Sequence, residues 1–225
     1  MLKSLGLFVG LILIVLVLPF LFPGSQRSSM PVPGLEPWAI QVLPEGFSRV
    51  FGITLGQTTL KDSARGLGSE PVVALVLSSE NSGAVEAYFE SLALGALSGK
   101  MILNVDTTIE QREQMLGRSP KAELMAAGTR RVILSDADRA WVDAAPVSGI
   151  TFIPAAQLDD AIIQQRFGLA AERISAGEHA EHYLYPSLGL DILLDRKGKE
   201  VLQYVAPHSF SRLRTPLAKT PARSG

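Results

Sequence analysis

The hydrophobic pattern of the chain begins with one long apolar run. Residues Leu5 to Phe22 include no charged side chain, and about 18 apolar residues are enough for a helix that crosses a bilayer. Lys3 precedes the run, as in a cleaved signal peptide, but no A-x-A-like cleavage site follows Phe22. We predict an uncleaved membrane anchor over residues 1–22, with a cleaved signal peptide as the alternative.

The charge at the N-terminus predicts the orientation of this anchor. Lys3 and the amino terminus favour a short cytoplasmic side. This orientation predicts a single-pass inner-membrane protein whose body lies outside the membrane, in the periplasm if the cell is Gram-negative.

Prolines separate the apolar run from the body. Residues 23–44 contain five prolines together with glycine and serine, a composition that favours extended backbone. We predict a spacer that holds the body away from the bilayer. Trp38 within it has two interpretations, a side chain at the lipid headgroups or one packed under the body, and packing is favoured.

Two stretches of the body share a series of apolar and glycine landmarks. Phe51-Gly52-Ile53-Thr54 matches Ser148-Gly149-Ile150-Thr151, and Leu67-Gly68 matches Phe167-Gly168. Matched points lie about a hundred residues apart, as expected of a duplicated unit. The sequence therefore predicts an α+β fold with two related units, each a helix followed by an antiparallel meander, over 45–106 and 148–210.

Local patterns predict the elements within each unit. Thr59 and Asp62 form a capping pattern for a short helix that ends near Gly68. Asp159 and Asp160 lie at the positive end of a helix over 157–167 that stops at Gly168. Apolar and β-branched runs predict strands over 72–77, 85–89, 101–105, 182–185, 190–194 and 201–205, with turns at 81–83 and 195–198 and a positive φ at Gly198.

The remaining residues connect the units or follow them. Between 107 and 147 the pattern predicts helices over 108–116, 120–127 and 136–144 and a strand over 131–134. Residues 211–225 are basic and contain two prolines, which predicts a disordered tail. Contact of this tail with anionic lipid or cell-wall polymer is the alternative to a solvated tail.

The second unit carries a family resemblance. A helix ending in glycine, then three strands with a charged glycine turn, lie over Leu158–Gly168, Glu181–Tyr185 and Gly189–Val205. This arrangement resembles the α+β modules of the BamE/SmpA outer-membrane assembly family and the β-lactamase-inhibitor-protein-like fold. The resemblance covers each unit in outline and implies an envelope location and protein–protein contact. The chain lacks the lipidated cysteine of BamE.

Composition excludes several kinds of chemistry. The formal net charge is -1, which argues against nucleic-acid binding. The chain has no cysteine, so thiol catalysis, disulfides and Cys-based zinc sites are excluded. No G-x-S-x-G elbow or phosphate-binding loop occurs. We predict no cofactor.

The histidines form one local cluster. His179 and His182 share a face only on a helix, and on the predicted strand they point to opposite sides. A solvated strand edge is therefore favoured over a metal site. Asp159 and Asp160 are read as helix N-terminal charges in preference to acid–base catalysts.

The anchor, the spacer and the strand-rich body predict a non-enzymatic protein that binds an envelope partner or supports an assembly. Tyr183 and Tyr185 share one face of the predicted strand, beside His182, and form the candidate interaction surface. Core packing is the favoured role of the two tyrosines. The alternative function is a periplasmic small-ligand binder or hydrolase that uses a groove between the units.

Overall fold

The computed structural model describes residues 34–78, 83–94, 97–125 and 128–217, so the predicted anchor lies outside the described residues. No helix within these ranges is long and apolar enough to cross a membrane. The strands are β1 (Gln41–Val42), β2 (Ser48–Val50), β3 (Ile53–Thr54), β4 (Val72–Leu77), β5 (Gly83–Leu94), β6 (Leu97–Val105), β7 (Lys121–Leu124), β8 (Arg130–Ile133), β9 (Val147–Pro154), β10 (Glu172–Ser175), β11 (Ala180–Tyr185), β12 (Leu190–Asp195) and β13 (Val201–Val205). The helices are α1 (Leu60–Leu67), α2 (Ile109–Arg118), α3 (Asp136–Ala144), α4 (Asp160–Phe167) and α5 (Ser211–Leu217).

Ten strands form one antiparallel sheet in the order β10-β11-β12-β13-β9-β6-β5-β4-β8-β7. Helices α1 to α4 pack on one face, which we call the helical face. Each helix buries apolar side chains there: Leu60 and Ala64 from α1, Met115 from α2, Val142 from α3 and Ile163 from α4. The mixed α+β class is confirmed.

Short sequence patterns predicted the positions of several helices and strands correctly. The Thr59 hydroxyl accepts a hydrogen bond from the Asp62 amide, 3.1 Å away, and begins α1. Strands β4 and β13 have the predicted bounds. Gly198 lacks the predicted positive φ. A β-carbon there would require the Asp195 carboxylate to move aside.

Strand β9 was not predicted, although it lies near the middle of the sheet. All of its residues are buried, including the polar Ser148 and Thr151, so the polar positions that usually mark the solvated side of a strand are covered here. It pairs with β6 on one side and β13 on the other. This strand joins the two halves of the body into one sheet.

The two predicted units reach β9 from opposite sides. Helix α1 precedes the meander β4-β5-β6, and α4 precedes β10 and the meander β11-β12-β13. Strands β6 and β13 are both antiparallel to β9 and therefore run in the same direction. Helices α1 and α4 both lie on the helical face. Because β6 and β13 run in the same direction and both units carry their helix on the same face, the two meanders are mirror images of each other across β9. A rotation cannot superpose mirror images, so the strand order contradicts the predicted duplication.

The connecting region contributes two strands to the sheet edge. The predicted helix over Pro120–Ala127 is wrong, because Lys121–Leu124 forms β7. Strand β7 pairs with β8, and Arg131 of β8 forms an ion pair with Glu123. Pairing with β8 satisfies the backbone of this short segment better than an isolated turn of helix does. Helix α3 has the predicted bounds.

The predicted disordered tail is partly wrong. Residues 211–217 form α5, which buries Leu213 against Leu184 and Val205 on the face opposite the helical face. We call this the second face. Arg212 binds Asp106, and both Arg214 nitrogens lie 2.7 Å from the Glu172 carboxylate. These paired charges explain why a basic segment folds here. Residues 218–225 lie outside the described residues.

The N-terminal part of the described chain packs against the body. Strands β1 to β3 form a small separate sheet. Phe51 connects β2 to β3 with a φ of 54°, a conformation that costs about 1–2 kcal/mol for an L-residue. Its ring lies 5.4 Å from those of Phe152 and Tyr204, and this packing offsets the backbone cost.

The last part of the predicted spacer packs against the body and does not extend away from it. Pro37 is buried, and its carbonyl accepts a hydrogen bond from the Tyr204 hydroxyl at 3.1 Å. The Arg166 guanidinium stacks on Trp38. From Gly34 onward, the spacer region therefore lies against the body. Residues 23–33 are outside the described part of the chain.

Candidate functional site

The three predicted interaction residues lie in the interior. Tyr183, Tyr185 and His182 are 3%, 4% and 5% exposed, respectively. Strand β11 lies between β10 and β12, with α4 against one face and α5 against the other. Because β10 and α5 were not predicted, the burial of His182 was missed. The candidate contact surface is therefore corrected to a set of core positions, the favoured role of the tyrosines.

The two tyrosines attach α4 to the sheet. The Tyr183 hydroxyl donates to Asp160 Oδ1 at 2.7 Å, and the Tyr185 hydroxyl donates to the Gly168 carbonyl at 3.1 Å. These acceptors lie at the first turn of α4 and just after its last residue. Arg173 lies over the Tyr183 ring. Burial raises the pKa of Tyr183, and the hydrogen bond to Asp160 raises it further, so this phenol keeps its proton and its bond.

The histidines behave differently from each other. His182 is buried on the second face, where its Nδ1 donates to both oxygens of Asp191 at 2.9 and 3.0 Å. The predicted solvated edge is wrong for this residue. His179 lies in the turn before β11, with its Nε2 3.6 Å from Glu178. The described residues contain no group of three or more metal-ligating side chains of the His, Cys, Asp or Glu type.

Asp191 begins a row of polar side chains across the second face. Burial raises its pKa, and the bond from His182 opposes that rise. Gln203 is its partner on β13, and Thr151 is the partner of Gln203 on β9. Gln203 is 6% exposed, and its Oε1 has no hydrogen-bond partner among the described residues.

A second polar pair lies toward the other half of the same face. Glu86 on β5 is directly opposite Asn104 on β6. Glu86 is 4% exposed, and burial raises its pKa to about 7. Asn104 Oδ1 is buried and lacks a partner in the described part of the chain. A protonated Glu86 carboxyl carries a donor of the kind that this oxygen lacks.

These residues define the candidate site, which we call the polar strip. It consists of His182, Asp191, Gln203, Thr151, Asn104 and Glu86. Helix α5 flanks one side through Leu184 and Val205. Apolar side chains flank the other side: Val76, Tyr88, Ile102, Ile153 and Val201. The strip can therefore hold protons in a desolvated setting, where hydrogen bonds are strong and unpaired groups are costly.

Sequence reasoning missed most of the strip. Glu86, Asp191 and Gln203 are single polar residues inside strands that were otherwise predicted correctly. Each is flanked by apolar residues, and a polar position in a strand of a sheet with one open face is usually solvated. The sequence shows which residues of a strand share a face. Whether that face is buried depends on elements that are distant in sequence.

Comparisons of the chain with protein-family models, curated proteins and solved structures find no match.

Proposed function

We propose that the chain is a single-pass inner-membrane protein whose periplasmic body binds a protein partner or supports an envelope assembly. The uncharged run Leu5–Phe22 supports the anchor. The resemblance to BamE/SmpA modules supports the envelope location. Within the body, the observation that carries the proposal is the open edge of the large sheet at β7.

Strand β7 turns backbone groups outward at this edge, where no described strand pairs with them. The Met125 amide donates to the Thr129 carbonyl at 2.7 Å, so Met125 faces β8. Backbone direction alternates along a strand, which turns the N–H and C=O groups of Ala122 and Leu124 away from β8. No described strand lies beyond β7. An extended segment of another protein can add to such an edge through main-chain hydrogen bonds.

The side chains at the two edges favour β7 over β10. Leu124 is 79% exposed, so it offers apolar contact next to these outward backbone groups. At the other edge, Glu172 of β10 pairs with Arg214 of α5, and Arg173 pairs with Glu181. Charged side chains protect an edge from strand addition. Strand β7 also carries two of them, Lys121 and Glu123, so the exposed Leu124 is what distinguishes it from β10.

Recovery of partners from membranes tests the edge. Ala122→Pro removes the outward N–H, at a kind of position where proline is tolerated, and Ala122→Val is the matched control that keeps it. We expect proteins that copurify with the wild-type full chain from detergent-solubilised membranes to be lost with the proline variant and kept with the valine variant. Equal recovery with all three folded chains would contradict strand addition at β7.

The anchor has its own test. Mass analysis of the membrane-extracted chain should find the N-terminus that begins at Met1. A mature chain that begins near Ser25 would show that the apolar run is a cleaved signal peptide.

The His182–Asp191 pair favours a second candidate function, a small-ligand binder or hydrolase. A carboxylate that binds Nδ1 orients the imidazole and leaves Nε2 for proton transfer. Hydrolysis of chromogenic esters by the full chain is the test. Turnover that is lost in a folded His182→Gln variant and kept in His179→Gln would support this candidate.

A further inference from the structure

An exposed apolar patch lies at the end of the body where the described chain begins. Leu169 is 80% exposed, Val42 is 53% exposed and Trp38 is half-buried. Together with Arg166 they form what we call the proximal patch. Single exposed apolar residues are ordinary on protein surfaces, whereas a group at one place indicates an interaction site.

Contacts between the elements bring the segments that carry these residues to one end of the body. The Arg166 guanidinium carbon lies 4.5 Å from the centre of the Trp38 ring. Leu169 follows Gly168, whose carbonyl is bonded to Tyr185. The turn over Pro186–Leu188 comes directly after Tyr185 and contacts β1, which contains Val42. The patch is thus formed by three segments that meet beside the N-terminal end of the described chain.

The length of the preceding chain limits how far the patch can lie from a membrane. Residues 23–33 separate Phe22 from Gly34. An extended chain spans at most about 3.6 Å per residue, so Gly34 lies within roughly 40 Å of the end of the proposed anchor. Trp38 is four residues further along. A tether of this length allows the patch to reach the bilayer surface, whereas the spacer predicted from the prolines would hold the body away from it.

We propose that the proximal patch rests on the surface of the bilayer that holds the anchor of the same chain. Leu169 and Val42 enter the boundary of the acyl chains, and Trp38 lies at the headgroup level, where tryptophan is enriched. Arg166 extends its cation to the lipid phosphates. The proposal depends on the anchor proposed above and adds the orientation of the body, with one end held against lipid.

The two tryptophans of the chain make a direct test possible. Trp141 lies on α3, which packs against α1, and is 41% exposed. The full chain is reconstituted into phosphatidylcholine vesicles with brominated acyl chains, as Trp141→Phe to report on Trp38 and as Trp38→Phe to report on Trp141. We expect bromine to remove most of the Trp38 emission and to leave the Trp141 emission unchanged.

Substitution of the patch supplies the control. Leu169→Glu in the Trp141→Phe chain should restore Trp38 emission, while Ile109→Glu, at another exposed apolar position on α2, should not. Thermal unfolding in detergent confirms that both variants fold. Failure of the chain to float with vesicles would refute the anchor. Flotation with equal quenching of both tryptophans, or with none, would refute the patch and leave the anchor standing.

Discussion

Replacing Glu86 by glutamine should make the stability of the body less dependent on pH. Glu86 is buried on β5 opposite Asn104, and glutamine keeps its size while removing its titration. The amide of glutamine also supplies a donor for Asn104 Oδ1, so the variant imitates the protonated form.

The sign and size of this change in stability with pH follow from the pKa of Glu86. Burial raises it from 4.5 to about 7 in the folded chain, so the folded state binds this proton more tightly than the unfolded state. The stabilisation is present below pH 4.5 and is lost as the pH rises through 7. The whole shift corresponds to about 3 kcal/mol, of which about 1 kcal/mol appears between pH 8 and pH 6.

Thermal unfolding of the full chain in detergent measures this difference. One kcal/mol shifts the Tm of a chain of this size by about 2–4 °C. The wild type should gain that much from pH 8 to pH 6 relative to Glu86→Gln. Glu113→Gln, at an exposed position on α2, is the matched control and should follow the wild type. Parallel curves for the wild type and Glu86→Gln would refute a raised pKa for Glu86.

Four further substitutions test other parts of the structure. His182→Leu leaves the Asp191 carboxylate buried without a partner and should cost about 3–5 kcal/mol, while the added change Asp191→Leu should recover much of it in a double-mutant cycle measured by denaturant unfolding. Tyr183→Phe loses the bond that holds the first turn of α4 and should cost about 1 kcal/mol, with faster hydrogen exchange confined to α4. Leu213→Ala should cost about 2–3 kcal/mol and, if α5 is packed as described, should increase protease cleavage within residues 211–217.

Local chemistry explains which elements the sequence predicted. The hydroxyl of Thr59 and the carboxylate of Asp159 accept backbone hydrogen bonds from the residue three positions ahead, so each helix start is encoded within four residues. The strand over 72–77 is likewise encoded locally, by a run of six apolar residues. Strand β7 was misassigned because lysine, alanine, glutamate and leucine all favour helix, and pairing with β8 overrides that preference.

The candidate site depends on residues that are distant in sequence. From the sequence alone, Gln203 cannot be distinguished from a polar residue on the solvated face of a sheet. Only its position between Asp191 and Thr151 makes it part of the polar strip. Burial of the second face in turn involves α5, whose arginines are bound by carboxylates more than forty residues away. A pattern of period two reports which side chains share a face, and it carries no information about what covers that face.

The two faces of the sheet differ in how they treat polar groups, and this difference favours a role for the polar strip beyond packing. On the helical face, the Tyr183 hydroxyl has found an acceptor on α4. On the second face, Gln203 Oε1 and Asn104 Oδ1 remain unpaired among the described residues. Each unpaired buried oxygen costs about 1–3 kcal/mol, which an apolar residue at the same position would avoid. Protons held by Glu86, ordered water or a bound group can supply the missing donors, and the pH dependence of Glu86→Gln separates the first of these from the other two.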